Sequence, residues 1–209
     1  LDKALALAAL LCRTDVSEVP LCALYARRSL WAYAGILGIL LAGRGYVPLQ
    51  PAFPAERTRK MLDLSGTSTL IADQKSLETL GKVLIGISRP LTIILPGHSQ
   101  PPAWATACPH HQFLPAGALT QYGHRFTPQP AAVDAIAYLL FTSGSTGIPK
   151  GIGIQQQNVM AYVHGMSERY SIEPEDRLSQ AFELTFDPSV HDLFVCWHGG
   201  ACLYVPPQR

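Results

Sequence analysis

Apolar residues recur with helical spacing over Ala4 to Cys12 and again from Ser29 to Ala42, and a short apolar run of strand character, Pro20 to Tyr25, lies between them. The alternation continues along the chain. Pro54 to Leu64 predicts a helix that opens on proline, Thr69 to Ala72 a short strand, Ser76 to Leu84 a helix and Leu91 to Leu95 a strand. Between Pro96 and Pro130 prolines, glycines and histidines gather and the periodicity lapses, which predicts a long irregular connection. Strands resume at 135–141 and 151–154. Asn158 to Tyr170 then reads as an amphipathic helix, Leu178 to Phe182 as a strand, Pro188 to His198 as a helix and Cys202 to Val205 as a strand. Strands alternating with helices predict an α/β fold of layered, mostly parallel sheets covered by helices on both faces, and no internal repeat is visible.

Composition narrows the class. With 209 residues, 48% of them hydrophobic and 15% charged, the chain can bury a substantial core, so disorder is excluded. A net charge of +1 with no basic run gives no electrostatic footprint for nucleic acid. Leu30 to Ala42, the longest apolar stretch, is shorter than the roughly 20 residues a membrane span requires. Leu1 to Leu11 lacks the basic leader and cleavage site of a signal peptide, and an opening without Met reads as a chain cut from something longer. Five cysteines without a Cys-x-x-Cys pair argue against a disulfide scaffold and for a cytoplasmic setting. Cys108-Pro-His-His111, with His98 and His124 nearby in sequence, has zinc-ligand types in the wrong spacing and reads as ordinary loop residues, so no metal is assigned to the chain's own side chains.

The segment richest in chemistry follows the apolar run Ala135 to Phe141. It contains Thr142, Ser143, Gly144, Ser145, Thr146, Gly147, Ile148, Pro149, Lys150 and Gly151. Glycine lets a backbone approach a ligand closely, and successive N–H groups in such a turn form a nest of partial positive charge. The hydroxyls of Thr142, Ser143, Ser145 and Thr146 add donors and Lys150 adds a full charge, so the loop is suited to the phosphates of ATP. It is no P-loop: that motif needs Ser or Thr after its lysine and then a helix, whereas Lys150 runs into Gly151-Ile-Gly-Ile154, which continues as a strand. The loop therefore reads as the tip of a hairpin.

Tyr138 to Gly151 resembles the signature of the adenylate-forming superfamily, which includes acyl-CoA synthetases, luciferases and the adenylation domains of nonribosomal peptide synthetases. Leu41-Ala-Gly-Arg-Gly-Tyr-Val-Pro-Leu-Gln-Pro51, with Pro54 to Arg57 and Met61-Leu62 after it, resembles a stretch of the amino-acid adenylation domains, and Leu184 to Phe194 resembles their "FDxSVxxxF" segment. The resemblance implies that residues 1–209 are an incomplete N-terminal AMP-binding domain lacking the small lysine-bearing C-terminal subdomain, a piece expected to be inactive alone. It further implies attack of an amino-acid carboxylate on the α-phosphorus of ATP, with Mg²⁺, release of pyrophosphate and passage of the acyl group to a carrier-protein thiol. Thr142, Ser143, Gly144, Ser145, Thr146, Gly147 and Lys150 would hold the phosphates, with Lys150 and Thr146 catalytic.

Asp187 sits among apolar neighbours, where an ionised carboxylate calls for a positive partner. The resemblance supplies one, the substrate's α-ammonium; a cap for the helix starting at Pro188 is the other role open to it, and both can hold. Pro188 and His191 match positions that line the substrate side-chain pocket. His191 lies one turn past Asp187 on the same helix face, and a partly exposed histidine bonded to Asp192 or water is equally compatible. An acyl-CoA or aryl-acid ligase would share the loop without needing Asp187, and a scaffold relative would keep the fold without chemistry. Two departures from the family pattern stand out: Gln50 replaces a usual aspartate in a supporting turn, and Gln155 to Gln157 replace a segment that often contains His.

Overall fold

The structure, a computed structural model, describes residues 1–14, 18–120, 126–143 and 148–207. Its first helix, α1 (Asp2–Thr14), leads into β1 (Leu21–Tyr25), α2 (Leu30–Leu41) and β2 (Gly45–Leu49), followed by α3 (Ala55–Ser65), β3 (Thr69–Ala72), α4 (Leu77–Leu84) and β4 (Thr92–Leu95). β5 (Gln112–Pro115), α5 (Gly117–Thr120), β6 (Ile136–Ser143), β7 (Pro149–Gln155), α6 (Gln156–Tyr170) and β8 (Arg177–Ser179) come next. A last helix, α7 (188–198), precedes β9 (Cys202–Tyr204).

Seven strands form one sheet in the order β5-β4-β3-β1-β2-β6-β7, parallel throughout except for the antiparallel β6–β7 hairpin, and β8 and β9 pair in parallel as a separate ribbon. Strand side chains alternate between faces, so β1 feeds two cores. Leu21, Ala23 and Tyr25 join Met61 and Leu62 of α3 and Leu80 and Leu84 of α4 on one side. On the other, Cys22 and Leu24 join Leu7 and Leu11 of α1 and Ile36 and Ile39 of α2. Sandwiching between these layers explains why β1 and β3 are buried at every position. α2 is likewise apolar all round. Ser29 starts it, its hydroxyl accepting from the Ala32 N–H at 3.2 Å, and Gly38 lets α1 come close, since a methyl there would meet Leu7 Cβ at 2.8 Å. α3 stops at Gly66, whose φ of 67° is the left-handed value that favours glycine.

The periodicity missed some elements. The supposed irregular stretch from Pro96 to Pro130 holds a 3-10 turn (Ala103–Ala107), β5 and α5. β5 is an edge strand, paired only with β4 and half-exposed, so it needs no apolar alternation. β2 is interrupted in sequence by Pro48, which a parallel strand tolerates here because the β2–β6 ladder has a single rung, Tyr46 opposite Tyr138. β8 ends at Ser179 instead of running to Phe182: the Gln180 side chain accepts from Tyr33 Oη at 3.0 Å and donates to the Phe182 carbonyl, which pulls the chain out of the ribbon. α6 begins at Gln156, two residues before Asn158, because Gln155 and Asn158 form a reciprocal capping box. The glutamines that depart from the family pattern are thus a helix start.

Candidate active site

The β6–β7 hairpin carries the candidate phosphate loop at its tip. Its register sets Leu140 opposite Ile152, Phe141 opposite Gly151, Thr142 opposite Lys150 and Ser143 opposite Pro149. Thr142 and Lys150 are both exposed. The expectations for Gly144, Ser145, Thr146 and Gly147 lie outside the described residues, as does His124. What the structure places is the base of the loop: one hydroxyl residue and one lysine, brought side by side by the ladder.

Against the described part of the hairpin opens a cavity of about 410 Å³ whose walls include Thr142, Tyr138 and Ile152 of the hairpin, Phe53 and Arg57 near the start of α3, and Thr185 and Asp187 from the segment entering α7. A neighbouring cavity of about 450 Å³ is lined by Tyr138, Tyr162, Asp187, Pro188, His191 and Asp192, among others. Tyr138 and Asp187 belong to both, so they mark the junction. The Tyr138 ring is fixed from below by Tyr46, at 5.7 Å between centroids, and its hydroxyl pKa is raised by burial first and then by the Asp187 and Tyr162 charges.

Asp187 corrects two expectations. Its side chain is exposed, against the burial that its apolar neighbours in sequence implied. Although it occupies the residue before α7, its carboxylate makes no capping hydrogen bond; the helix starts through the Asp187 carbonyl, which accepts from Val190 N at 2.9 Å. Among the described residues no basic group lies within ion-pair distance of it. α7 itself is α-helical at Pro188–Val190, π-helical at His191–Val195 and α-helical again at Cys196–His198, and π turns of this kind are frequent at functional sites.

Pro188 and His191 line the second cavity together with Asp187. The partner of His191 differs from expectation: its Nδ1 shares a hydrogen bond of 2.9 Å with Tyr162 Oη, and the Tyr170 ring stands edge-on at 6.2 Å. Asp192 is engaged elsewhere, accepting from Ala181 N at 3.0 Å while buried in the wall. Tyr162 keeps its proton, its pKa raised by burial and then by Tyr170, Asp187 and Asp192. Neither Tyr162 nor Arg57 was singled out from the sequence. Tyr162 lies on an amphipathic helix whose period says nothing about a cavity, and Arg57 sat inside a recognised motif without an assigned role.

The Cys108 to His111 segment serves the fold. Cys108 is buried, His110 Nε2 meets the Ile87 carbonyl at 2.7 Å, and His111 accepts from Leu91 N at 3.3 Å while its other nitrogen faces the Leu84 carbonyl at 3.4 Å. Among the described residues no three His, Cys, Asp or Glu side chains converge as metal ligands, and no helix is long and apolar enough to cross a membrane.

A family model described as AMP-binding enzyme matches residues 1–209. The chain is 32% identical over 208 residues to nonribosomal peptide synthetase easA of Emericella nidulans, an alignment covering 98% of this chain and 3% of that protein. Among solved structures, IdnL7 superposes with a TM-score of 0.79 at 33% identity, over 98% of this chain and 38% of that one. The Vibrio cholerae adenylation domain AlmE, solved in complex with glycyl-adenosine-5'-phosphate, superposes with a TM-score of 0.83 at 28% identity, over 99% of this chain and 39% of that one. The chain thus spans under two fifths of these solved structures and a few hundredths of the synthetase. With its family model, its synthetase relative and its adenylation-domain fold in agreement, the chain belongs to the AMP-binding family of adenylate-forming enzymes.

Proposed function

We propose that the protein carrying this chain activates an amino acid: the substrate carboxylate attacks the α-phosphorus of ATP, the bond to the bridging oxygen breaks, pyrophosphate leaves and an aminoacyl-adenylate remains. A carrier-protein thiol then attacks the acyl carbon and AMP departs. One observation carries the reading. Thr142, at the base of the hydroxyl-rich loop, and Asp187, a carboxylate with neither a cap role nor a described cation, line one cavity.

Each group has a task in that reaction. Two anions must be brought together and charge growing on pyrophosphate must be held, so positioned donors and a cation supply most of the catalysis. Lys150, with Thr142, Ser143, Gly144, Ser145, Thr146 and Gly147, grips the phosphates; Asp187 holds the α-ammonium and orients the carboxylate toward the loop; Pro188 and His191 border the side chain. Mg²⁺, bound with the triphosphate, would offset part of its charge beside Lys150 and the loop hydroxyls. The five free cysteines accord with a reducing, cytoplasmic setting. Vibrio AlmE, complexed with glycyl-adenosine-5'-phosphate, supports an amino-acid adenylate as the product class.

The test is ATP–pyrophosphate exchange by the intact protein across a panel of amino acids. Exchange dependent on one or a few amino acids is expected. Exchange driven equally by carboxylic acids without an amine would transfer the protein to the acyl or aryl-acid ligases.

A further inference from the structure

Gln50 departs from the aspartate expected in its motif, and the structure gives that departure a partner. Directly after β2, the Gln50 amide Nε2 donates to Glu183 Oε2 at 2.5 Å, across 133 positions of sequence. The other carboxylate oxygen of Glu183 lies 3.8 Å from Arg28 Nε. Arg28 in turn donates from Nη1 to the carbonyls of Gln180 and Ala181, at 3.1 and 3.2 Å. Tyr33 Oη donates to the Gln180 side chain, and Asp192 accepts from Ala181 N. Residues 180–183 are thereby tied to the ends of β1 and β2, to α2 and to α7. Four residues after Glu183 the same segment delivers Asp187 to the cavity junction.

The polarity of the Gln50–Glu183 contact is determined. Only the NH₂ end of the amide can donate to a carboxylate, and this orientation leaves Gln50 Oε1 buried with no partner among the described residues. A carboxylate at position 50 would face another carboxylate instead of feeding it a hydrogen.

We infer that Gln50 and Glu183 are a matched pair, and that Gln50 is a positioning residue that holds the 180–187 segment so that Asp187 faces the cavity. The effect on substrate rests on the amino-acid reading of the site; the pairing does not.

Gln50→Glu tests both parts because it preserves shape and adds only charge. Among the described residues, Arg28 from the turn after β1, Tyr33 from α2 and Asp192 from α7 are ionisable groups of the same network. Tyr33, pushed up to about 12 chiefly by burial, stays protonated in any such experiment. Two carboxylates this close raise the pKa of one of them in the folded state, so the variant's loss of stability is full above that raised value and is relieved as pH falls through it, when a shared proton replaces the amide hydrogen. The melting temperature of Gln50→Glu is therefore expected to fall short of wild type at about pH 8.5 and to approach it near about pH 6. The double variant Gln50→Glu with Glu183→Gln, which exchanges donor and acceptor, should match wild type at both. In exchange assays the single variant should raise the KM for amino acid roughly five- to tenfold at the higher pH with little change in the KM for ATP. A melting difference that ignores pH, or that the double variant fails to repair, overturns the pair. A repaired, pH-dependent melting difference with an unchanged amino-acid KM overturns the positioning role. If wild-type protein shows no amino-acid-dependent exchange at all, the amino-acid reading falls and takes the positioning role with it, while the melting data still decide the pair.

Discussion

Thr142 and Lys150 stand opposite each other one rung from the end of the β6–β7 ladder, so the lysine rises on the same face of the hairpin as a hydroxyl residue that lines the cavity. Antiparallel pairing thus sets a cation beside the cavity wall, where the described residues give it no ion pair. Lys150→Ala in the intact protein should lower ATP–pyrophosphate exchange on the order of a hundredfold, the scale of losing one preorganised charge-stabilising group. Its melting temperature should stay that of wild type, because the side chain is exposed. Exchange within about twofold of wild type would remove Lys150 from the phosphate site.

Asp187 makes no cap and meets no described cation, so its replacement should act on substrate and spare the helix. Asp187→Ala is expected to raise the KM for amino acid on the order of a hundredfold and to leave the unfolding free energy within about 1 kcal/mol of wild type. Steady-state exchange and urea unfolding measure the two separately. A large loss of stability with unchanged KM would return Asp187 to a structural role.

Tyr162 holds His191 by a bond of 2.9 Å at the rim of the second cavity. Tyr162→Phe keeps the ring but frees His191 Nδ1, and with Tyr162 exposed the cost in stability should stay under about 1 kcal/mol. The ranking of amino acids in the exchange panel is expected to shift. An unaltered ranking would place the histidine outside the side-chain pocket.

His111 makes the fold sensitive to acid. Burial lowers its pKa, His110 and Arg89 lower it further, and only the Leu84 carbonyl opposes them; the ring must also stay neutral at Nδ1 to accept from Leu91 N. Because the folded value lies below the unfolded one, about 6.5, the unfolded chain takes up the proton first and stability declines as pH drops below that point. Unfolding free energies followed from about pH 7.5 to about pH 5 should show this decline, and His111→Gln should flatten part of it while costing stability at neutral pH. A variant with the same slope as wild type would assign the acid sensitivity to other groups.

Tyr46 has a fully buried hydroxyl that finds no hydrogen-bond partner among the described residues. Burial drives its pKa far upward, so the hydroxyl keeps its proton as a donor that no described residue accepts. Tyr46→Phe should therefore be neutral or stabilising, by up to about 1 kcal/mol, while preserving the ring contacts to Tyr138 and Phe194. Thermal unfolding decides it, and a loss exceeding about 1 kcal/mol would mean that the hydroxyl has a partner after all.

Much of this molecule was legible in its residue order. Helix and strand periods located α1 to α4, β1, β3, β4 and the hairpin, because buried faces repeat at fixed intervals whatever lies beyond them. For the Gly, Ser, Thr and Lys loop the argument for phosphate rests on residue type, and its residues 144–147 lie outside the described residues. β2 and β5 escaped because Pro48 interrupts one and an edge position relieves the other of apolar alternation.

Only the tertiary structure decided which residues share a cavity. Sequence spacing orders neighbours within one element, but the meeting of Thr142 with Asp187, of Tyr162 with His191 and of Gln50 with Glu183 depends on where the sheet order β5-β4-β3-β1-β2-β6-β7 sets down elements from distant parts of the chain. The carboxylate of Asp187 shows the difference most directly: its apolar neighbours in sequence implied burial, whereas the fold turns it outward, because exposure belongs to packed surfaces and not to adjacent letters.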